Sequence, residues 1–259
     1  MYRKIAAFLA ATLITTSASF AQDVIRVGVE GNYPPFSKVS ADGTLSGFDI
    51  DIANGLCEKM KMKCEMVQQE WDGMIPALNA KKFDMIVASM SITDKRKEVV
   101  DFSDPYYDVP SRFIAKAGAF EGYAPDQIAG KKIIVLRNSP RAEYLKQAYP
   151  DNPVLAVDKE TAVYLELAAG RGDIAFGSSV VSAESFLKQP EGDGFAQVGE
   201  TLFLTDSVDG GVGIALRKGE ADLREKVNAA LAAMMADGSY DEMAGKYFDF
   251  DITPRSARQ

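Results

Sequence analysis

The sequence predicts an α/β protein built mostly from parallel sheets. Short β-branched runs alternate with helical stretches along the whole chain after its first residues. Some of those runs are apolar throughout, as in Ile133-Ile134-Val135-Leu136, the pattern of strands buried on both faces. The 259 residues suffice for one large or two medium domains beyond a leader.

Residues 1–21 read as a secretion signal. Arg3 and Lys4 supply charge, Ile5 to Thr15 a short apolar core, and Ser19-Phe20-Ala21 a small-x-small cleavage site, so the exported chain begins at Gln22. The apolar core is too short to span a bilayer well, and no other run approaches that length. With 29 Lys+Arg against 37 Asp+Glu, the formal net charge is −8, which argues against nucleic acid and anionic membrane surfaces as partners. Histidine is absent. That removes the Ser–His triad and the commonest zinc ligand. Two cysteines cannot build a thiolate cage, and no cofactor or metal is expected.

Val24 to Val29 alternates and reads as the first strand. It runs into Glu30-Gly31-Asn32-Tyr33-Pro34-Pro35, where the prolines stiffen the loop. Glu30 and Tyr33 therefore read as pocket residues; a surface turn is the plainer alternative. Asp42-Gly43 signals a hairpin. Gly47-Phe48-Asp49 opens a helix through Ile52, Leu56 and Met60, with Asp49 and Asp51 well placed in its first turn. Cys57 and Cys64 are too far apart to bond on one continuous helix. They can meet if the helix ends near Met60 and the chain turns at Lys61-Met62-Lys63. Export favours the disulfide over a redox-active pair.

Cys64 to Gln68 reads as a strand. Trp71, the only tryptophan, then precedes a helix from Asp72 to about Lys81 and is either a pocket or a core residue. Met85 to Ala88 is a buried strand, and Ser89 and Ser91 fall at its end, where open α/β sheets place ligands. Thr93 caps the helix that follows and Arg96 sits in its first turn. A guanidinium, two hydroxyls and free backbone N–H groups can converge there on one anion. The expectation is a carboxylate site; the alternative is that Arg96 pairs with Asp94 or Asp101. Ser111 to Lys116 is a further strand.

A second alternating set follows: strand Ile133 to Leu136, then Arg137-Asn138-Ser139-Pro140-Arg141 at a helix start, strand Val154 to Val157, and helix Lys159 to Ala169. Strand Ile174 to Phe176 ends at Gly177-Ser178-Ser179 before a helix to Lys188. Val208 to Leu216 reads as a Gly-rich strand without a phosphate-loop motif, so nucleotide binding is not expected. Helices over Asp222 to Met235 and Tyr240 to Tyr247 close the chain.

Five motifs in this order, Gly47-Phe48-Asp49-Ile50-Asp51, Ile75-Pro76-Ala77-Leu78, Ser91 to Arg96, Asp237-Gly238-Ser239-Tyr240 and Lys246-Tyr247-Phe248, resemble the periplasmic solute-binding proteins of ABC importers. The lysine/arginine/ornithine-, histidine- and opine-binding subgroup is the most similar. The resemblance covers essentially the whole exported chain, including the position of the two cysteines. It implies a two-lobed periplasmic binding protein fold, each lobe a mostly parallel sheet flanked by helices, joined by two hinge strands. Lobe one would comprise residues 23–109 and 209–259, and lobe two residues 110–208. The chain would cross near Asp108 to Pro110 and return near Asp206 to Gly210.

The same resemblance implies a periplasmic, monomeric binding protein that delivers a small molecule to a membrane permease. It places a ligand α-carboxylate on Arg96, Ser91 and Ser89, an aromatic sandwich on Tyr33 and Trp71, and a cationic side chain on Glu30. Lobe-two contacts fall around Ser139. The chain departs from the family pattern at three places: Ala88 stands for a serine, Pro140 for a threonine beside Arg141, and Ser178 for the aspartate that takes an α-ammonium. A free α-ammonium without a counter-ion is costly to bury. The expectation is therefore a basic amino acid or an arginine conjugate with a substituted nitrogen, an opine such as octopine or nopaline. Its second acid would face Arg141 or Arg137, unless Arg141 faces solvent. The alternative class is an exported dehydratase-like enzyme with Glu30 as its acid.

Overall fold

The computed structural model describes residues 23–108, 110–205 and 208–255. The expected leader and the crossover positions Val109, Asp206 and Ser207 lie outside the described residues. No helix among them is long and apolar enough to cross a membrane.

Strand β1 (Val24–Val29) leads into a small antiparallel sheet of β2 (Asn32–Tyr33), β3 (Ser37–Val39) and β4 (Leu45–Ser46), with Asp42-Gly43 at its expected turn. Helix α1 (Phe48–Lys59) buries Phe48, Ile52 and Leu56. It stops at Met60, and Lys61 adopts a left-handed φ of 57° that reverses the chain. Cys57 and Cys64 are thereby brought to a Cα separation of 5.8 Å and joined in a disulfide. Strand β5 (Lys63–Gln68) returns parallel to β1. One tight 3₁₀ turn at Trp71–Gly73 precedes helix α2 (Met74–Asn79), so the single helix expected from Asp72 is split. Strand β6 (Met85–Ile86), helix α3 (Asp94–Lys97) and strand β7 (Val100–Phe102) follow.

The second body comprises β8 (Ser111–Lys116), β9 (Ile133–Leu136), α4 (Pro140–Ala148), β10 (Val154–Val157), α5 (Glu160–Ala168), β11 (Ile174–Ser178), α6 (Ser179–Ser182), continued by a wide π turn to Leu187, and β12 (Phe195–Leu202). The chain then returns to the first body through β13 (Ala215–Arg217), α7 (Ala221–Ala236) and α8 (Ser239–Ala244).

Each five-stranded sheet is mixed rather than mostly parallel in its pairing. The first has the order β5-β1-β6-β13-β7 and the second β10-β9-β11-β8-β12. Three adjacent strands are parallel in each, and the incoming strand, β13 or β8, pairs antiparallel with both neighbours. The reason is where the chain enters. The parallel strands end at the edge facing the other body, as Ser178 does beside Ser111. A strand arriving from that body starts at this edge and must run the opposite way.

Val208 to Leu216 is a strand only over its last part, contrary to expectation. Residues before Ala215 run as an irregular crossing segment, with Val212 bridged to both Ser91 and Tyr107. A Cβ on Gly213 would lie 2.8 Å from Ile92, so glycine there lets the segment press against the loop before α3. Strand β12 was not anticipated, because its Phe-Ala-Gln-Val-Gly-Glu-Thr-Leu run mixes polar and apolar residues. It is an edge strand whose register breaks between Val198 and Leu202.

Aromatic rings fill both cores. Phe36 stacks on Tyr107 at 4.8 Å, and Phe48 sits among Tyr106, Tyr240 and Phe248. In the second body Phe113 stacks on Phe176 at 4.2 Å. These packed aromatic cores leave little free volume within either body.

Candidate ligand cleft

The ends of β1 and β6 face the ends of β9 and β11, as open α/β sheets arrange ligand sites. Glu30, Tyr33, Trp71, Ala88, Ser89 and Ser91 line an inner cavity from one side, and Leu136, Ser139, Pro140 and Arg141 from the other. That cavity is about 20 Å³, room for about one water, so a ligand enters only when the bodies part. A larger groove of about 610 Å³ runs along the mouth past Ile75, Pro76, Met90 and Arg96. The inner cavity carries Glu30 and Arg141, whereas the larger outer groove carries Arg96.

Arg96 stands at the boundary. Thr93 Oγ1 accepts its backbone N–H at 3.1 Å, which fixes the start of α3. Its guanidinium donates to the Ser91 carbonyl at 2.8 Å and, across the cleft, to the Asn138 carbonyl at 2.9 Å. It also lies 5.0 Å over the Trp71 ring. Among the described residues it has no ion pair; Asp94 takes Lys97 and Asp101 takes Lys218. Burial pushes its pKa down to about 10, with Asp209 partly offsetting this. A partly buried cation whose hydrogen bonds go to neutral carbonyls favours an incoming anion.

The serines differ from expectation. Ser89 takes a left-handed φ of 53° and its hydroxyl donates to Asp49 Oδ2 at 2.7 Å, not toward Arg96. Asp49 Oδ1 accepts the Tyr106 hydroxyl at 2.7 Å. Burial raises the Asp49 pKa to about 6, and the two hydroxyls limit the rise. Ser91 stands beside Asp209, whose pKa burial raises and the Arg141 charge and the Ser91 hydroxyl partly lower, so of the two expected hydroxyls Ser89 is the one committed to a partner.

Glu30 is 4% exposed and carries no ion pair among the described residues. Burial, with the negative charges of Glu160, Glu70 and Asp49, pushes its pKa to about 8, and Lys159 partly counters them. Tyr33 lines the cavity with its hydroxyl beside Ser178 and Arg141. Trp71 lines it too, but one ring face already carries Arg96, so the expected sandwich of two free rings is modified.

On the other side, Ser139 caps α4. Its hydroxyl accepts the Ala142 N–H at 3.1 Å and donates to the Leu136 carbonyl at 2.6 Å. Arg137, expected toward the ligand, instead points to the mouth, half exposed. It pairs with Asp72 at 3.0 Å and Asp158 at 3.5 Å, because the chain end of β9 turns outward there. Ser178 is fully buried and caps α6, accepting the Val181 N–H at 3.3 Å; it does not line the cavity. Its own N–H donates to Glu160 Oε1 at 2.7 Å. Arg141 is 7% exposed, which overturns the solvent-facing alternative. Its Nε donates to Ser111 Oγ at 3.0 Å, and Nη1 stands 4.0 Å from Glu160 Oε2.

Sequence reasoning missed Asp49, Asp72, Ser111, Asn138 and Glu160 as site residues. Glu160 had a readable signal, an acid opening a helix whose next inward positions are Val163, Tyr164 and Leu167. The others are defined by partners far away in sequence.

Asp72 latches the closed cleft. Its Oδ1 accepts Asn138 Nδ2 at 2.8 Å while Oδ2 meets Arg137. Both charges of the ion pair are about half exposed, so the latch is worth about 1 kcal/mol. Asp72→Ala is expected to weaken ligand binding about 3–10-fold, mainly through faster release. Stopped-flow dissociation at low and high salt checks this: the wild type should approach the variant at high salt, and a salt-independent difference would exclude an ionic latch.

Residues 25–250 match the family of bacterial extracellular solute-binding proteins, family 3. The chain is 42% identical over 246 residues to the L-arginine-binding protein of Pseudomonas aeruginosa, covering 94% of this chain and 95% of that one. It is 40% identical over 244 residues to the lysine/arginine/ornithine-binding periplasmic protein of Escherichia coli, covering 93% and 94%. Among solved structures, an ancestral arginine-binding protein bound to arginine superposes with a TM-score of 0.80 at 36% identity, covering 88% of this chain and 99% of that chain.

Proposed function

We propose that this chain, which belongs to the bacterial extracellular solute-binding proteins of family 3, captures an amino acid in its interbody cleft and passes it to the permease of an ABC importer. The observation that carries this reading is Arg96, a partly buried guanidinium at the mouth of the cleft whose hydrogen-bond partners among the described residues are two carbonyls, with a ring face beneath it. An α-carboxylate supplies the missing negative charge with charge-assisted hydrogen bonds. Glu30, in the inner cavity beyond Arg96, selects a cationic far end. The ligand is then a basic amino acid or an arginine-derived conjugate of the opine type. The names of the similar proteins, which are binding proteins and not enzymes, support capture without turnover and speak against the dehydratase alternative.

The moving bodies in this reading are residues 23–109 with 209–259, and residues 110–208, turning about the two crossings. The protein works as an exported, periplasmic monomer freed of residues 1–21. Calorimetric titration of refolded protein with arginine, lysine, ornithine, histidine, octopine and nopaline tests the function. Micromolar or tighter binding of at least one is expected, and no binding of any would sink it.

Glu30 gives the binding a definite pH dependence. Its pKa of about 8 in the closed cleft lies above the ordinary 4.5, so the closed form without a bound cation holds an extra proton. That form is favoured most below about pH 4.5 and loses this favour as pH rises through about 8. A cation needs the ionised acid, so binding expels the proton. Affinity for a cationic ligand is expected to rise about tenfold per pH unit toward pH 8 and then level off. Titrations in buffers of different ionisation enthalpy should report about one proton released near neutral pH. Glu30→Gln should abolish both effects; a pH-independent affinity in the wild type would remove Glu30 from the cation site.

A further inference from the structure

The last described residues of the chain lie where the two bodies join, away from the ligand cleft. After α8 the chain packs into the first body, with Phe248 at 5.2 Å from Phe36 and 5.3 Å from Phe48. It then runs as an irregular segment to Arg255. Ile252 is 2% exposed, and Asp251 Oδ1 accepts the Thr253 N–H at 2.8 Å, which bends the segment. The segment is therefore seated on the protein rather than trailing into solvent.

Its seat is the outgoing crossing. The Ile252 carbonyl accepts the Asp108 N–H at 3.1 Å. Asp108 Oδ2 in turn accepts the backbone N–H of Arg255 and, at 3.3 Å, its Nε–H. The Asp108 side chain is only 8% exposed, and a Cβ on Gly211 of the return crossing would lie 2.9 Å from its Oδ1. One enclosed carboxylate thus lies against both crossings and holds the tail through a charged donor.

Arg255 also reaches the second body. Its guanidinium lies 4.8 Å over the ring of Phe203, which is 47% exposed. Phe203 follows β12 directly and its neighbour Leu204 is buried in the second core, so this ring moves with that body. The inner cavity is shut to about 20 Å³ in the same arrangement, so the contact belongs to the closed form. Opening would carry Phe203 away from a tail pinned by Phe248 and Ile252.

We infer that Arg255 and Phe203 form a clasp at the hinge that stabilises the closed form and so tunes ligand affinity from outside the cavity. The inference rests on the reading that the two bodies close over an amino acid. Any factor by which the clasp favours closure multiplies the apparent affinity, because the ligand is held by the closed form alone. The effect falls on release, since capture begins in the open form. Both groups are partly exposed, so the factor is about 3–10-fold.

Stopped-flow kinetics with L-arginine on wild type, Arg255→Gln, Phe203→Ala and the double variant test the clasp, with ligand-free melting curves confirming each fold. Each single variant should release arginine about 3–10-fold faster with little change in association. The double variant should be no worse than the more affected single one, since both remove the same contact. Arg255→Lys keeps a cation over the ring and should fall between wild type and Arg255→Gln. Release unchanged in both single variants overturns the clasp, as do losses that multiply in the double variant. A lowered melting temperature with unchanged release marks a purely structural contact and overturns it too. If neither arginine nor lysine, ornithine or histidine binds the wild type, amino-acid capture falls. The clasp is then judged alone by small-angle scattering of ligand-free protein, where Arg255→Gln should be less compact than wild type, and equal compactness overturns it.

Discussion

Arg96→Ala is expected to weaken ligand binding by about 30-fold to several thousand-fold, the range for losing one partner of a buried hydrogen-bonded charge pair. In the proposed function this guanidinium receives the ligand carboxylate, and it also ties the two bodies through the Asn138 carbonyl. Its removal therefore costs affinity twice, once at the ligand and once at closure. Arg96→Lys keeps the charge but loses the planar fork and should fall between the two. The fold should survive, because Thr93 caps the backbone N–H of residue 96 and not its side chain. Trp71 is the only tryptophan and lies under this group, so its fluorescence reports the change directly. Binding by Arg96→Ala within about 3-fold of wild type would move the α-carboxylate elsewhere.

Gly47→Ala should give a large loss of stability. Gly47 has φ 126° and ψ 173°, a region that only glycine occupies without strain. A Cβ there would lie 2.3 Å from the Phe36 carbonyl oxygen and 2.8 Å from that of Pro35. Both are backbone atoms, so the loop itself must shift. The Gly47 carbonyl also accepts the first-turn N–H groups of Ile50 and Asp51, at 3.1 and 3.0 Å. Strain and displacement together should cost about 3 kcal/mol or more. For a chain of this size that lowers Tm by about 6–12 °C. Affinity should fall as well, since the displaced Pro35-Phe36 segment carries Tyr33 into the cavity. Thermal denaturation with the disulfide intact checks this; a loss below about 1 kcal/mol would mean the loop yields freely.

Much of the architecture was legible because local pattern and burial agree. Val24–Val29, Ile133–Leu136 and Val154–Val157 are strands where β-branched runs say so, and Thr93 and Ser139 are helix caps where a hydroxyl precedes a polar turn. The cysteine pair was legible as a condition, a helix ending near Met60, and Lys61 meets it. Edge strand β12 escaped because one side of it packs on nothing apolar enough to impose a pattern. The Gly-rich crossing departs from the expected strand because Gly213 serves close approach to Ile92, and Gly211 to Asp108 and Pro105, rather than a ladder.

The site divides along the same line. Residue identities alone put Arg96, Ser89 and Ser91 at a strand end, and Glu30 and Tyr33 in a stiff loop beside another. They could not say which groups were already satisfied. Ser89 is bonded to Asp49, forty residues earlier in the chain, and Arg137 is drawn to Asp72 across the cleft. Arg141, expected either to meet a second acidic group of the ligand or to face solvent, is buried against Ser111 and Glu160.

By itself the sequence determined the alternation of strands and helices, the acidic balance without histidine, and the presence of a guanidinium, an acid and rings at strand ends. These depend on side-chain chemistry and near neighbours along the chain. The tertiary structure alone decided which charges are buried, which are paired and which face the cavity. Those properties arise from contacts between two bodies far apart in sequence, and in a low-dielectric cleft it is these contacts that set what an ionisable group can bind.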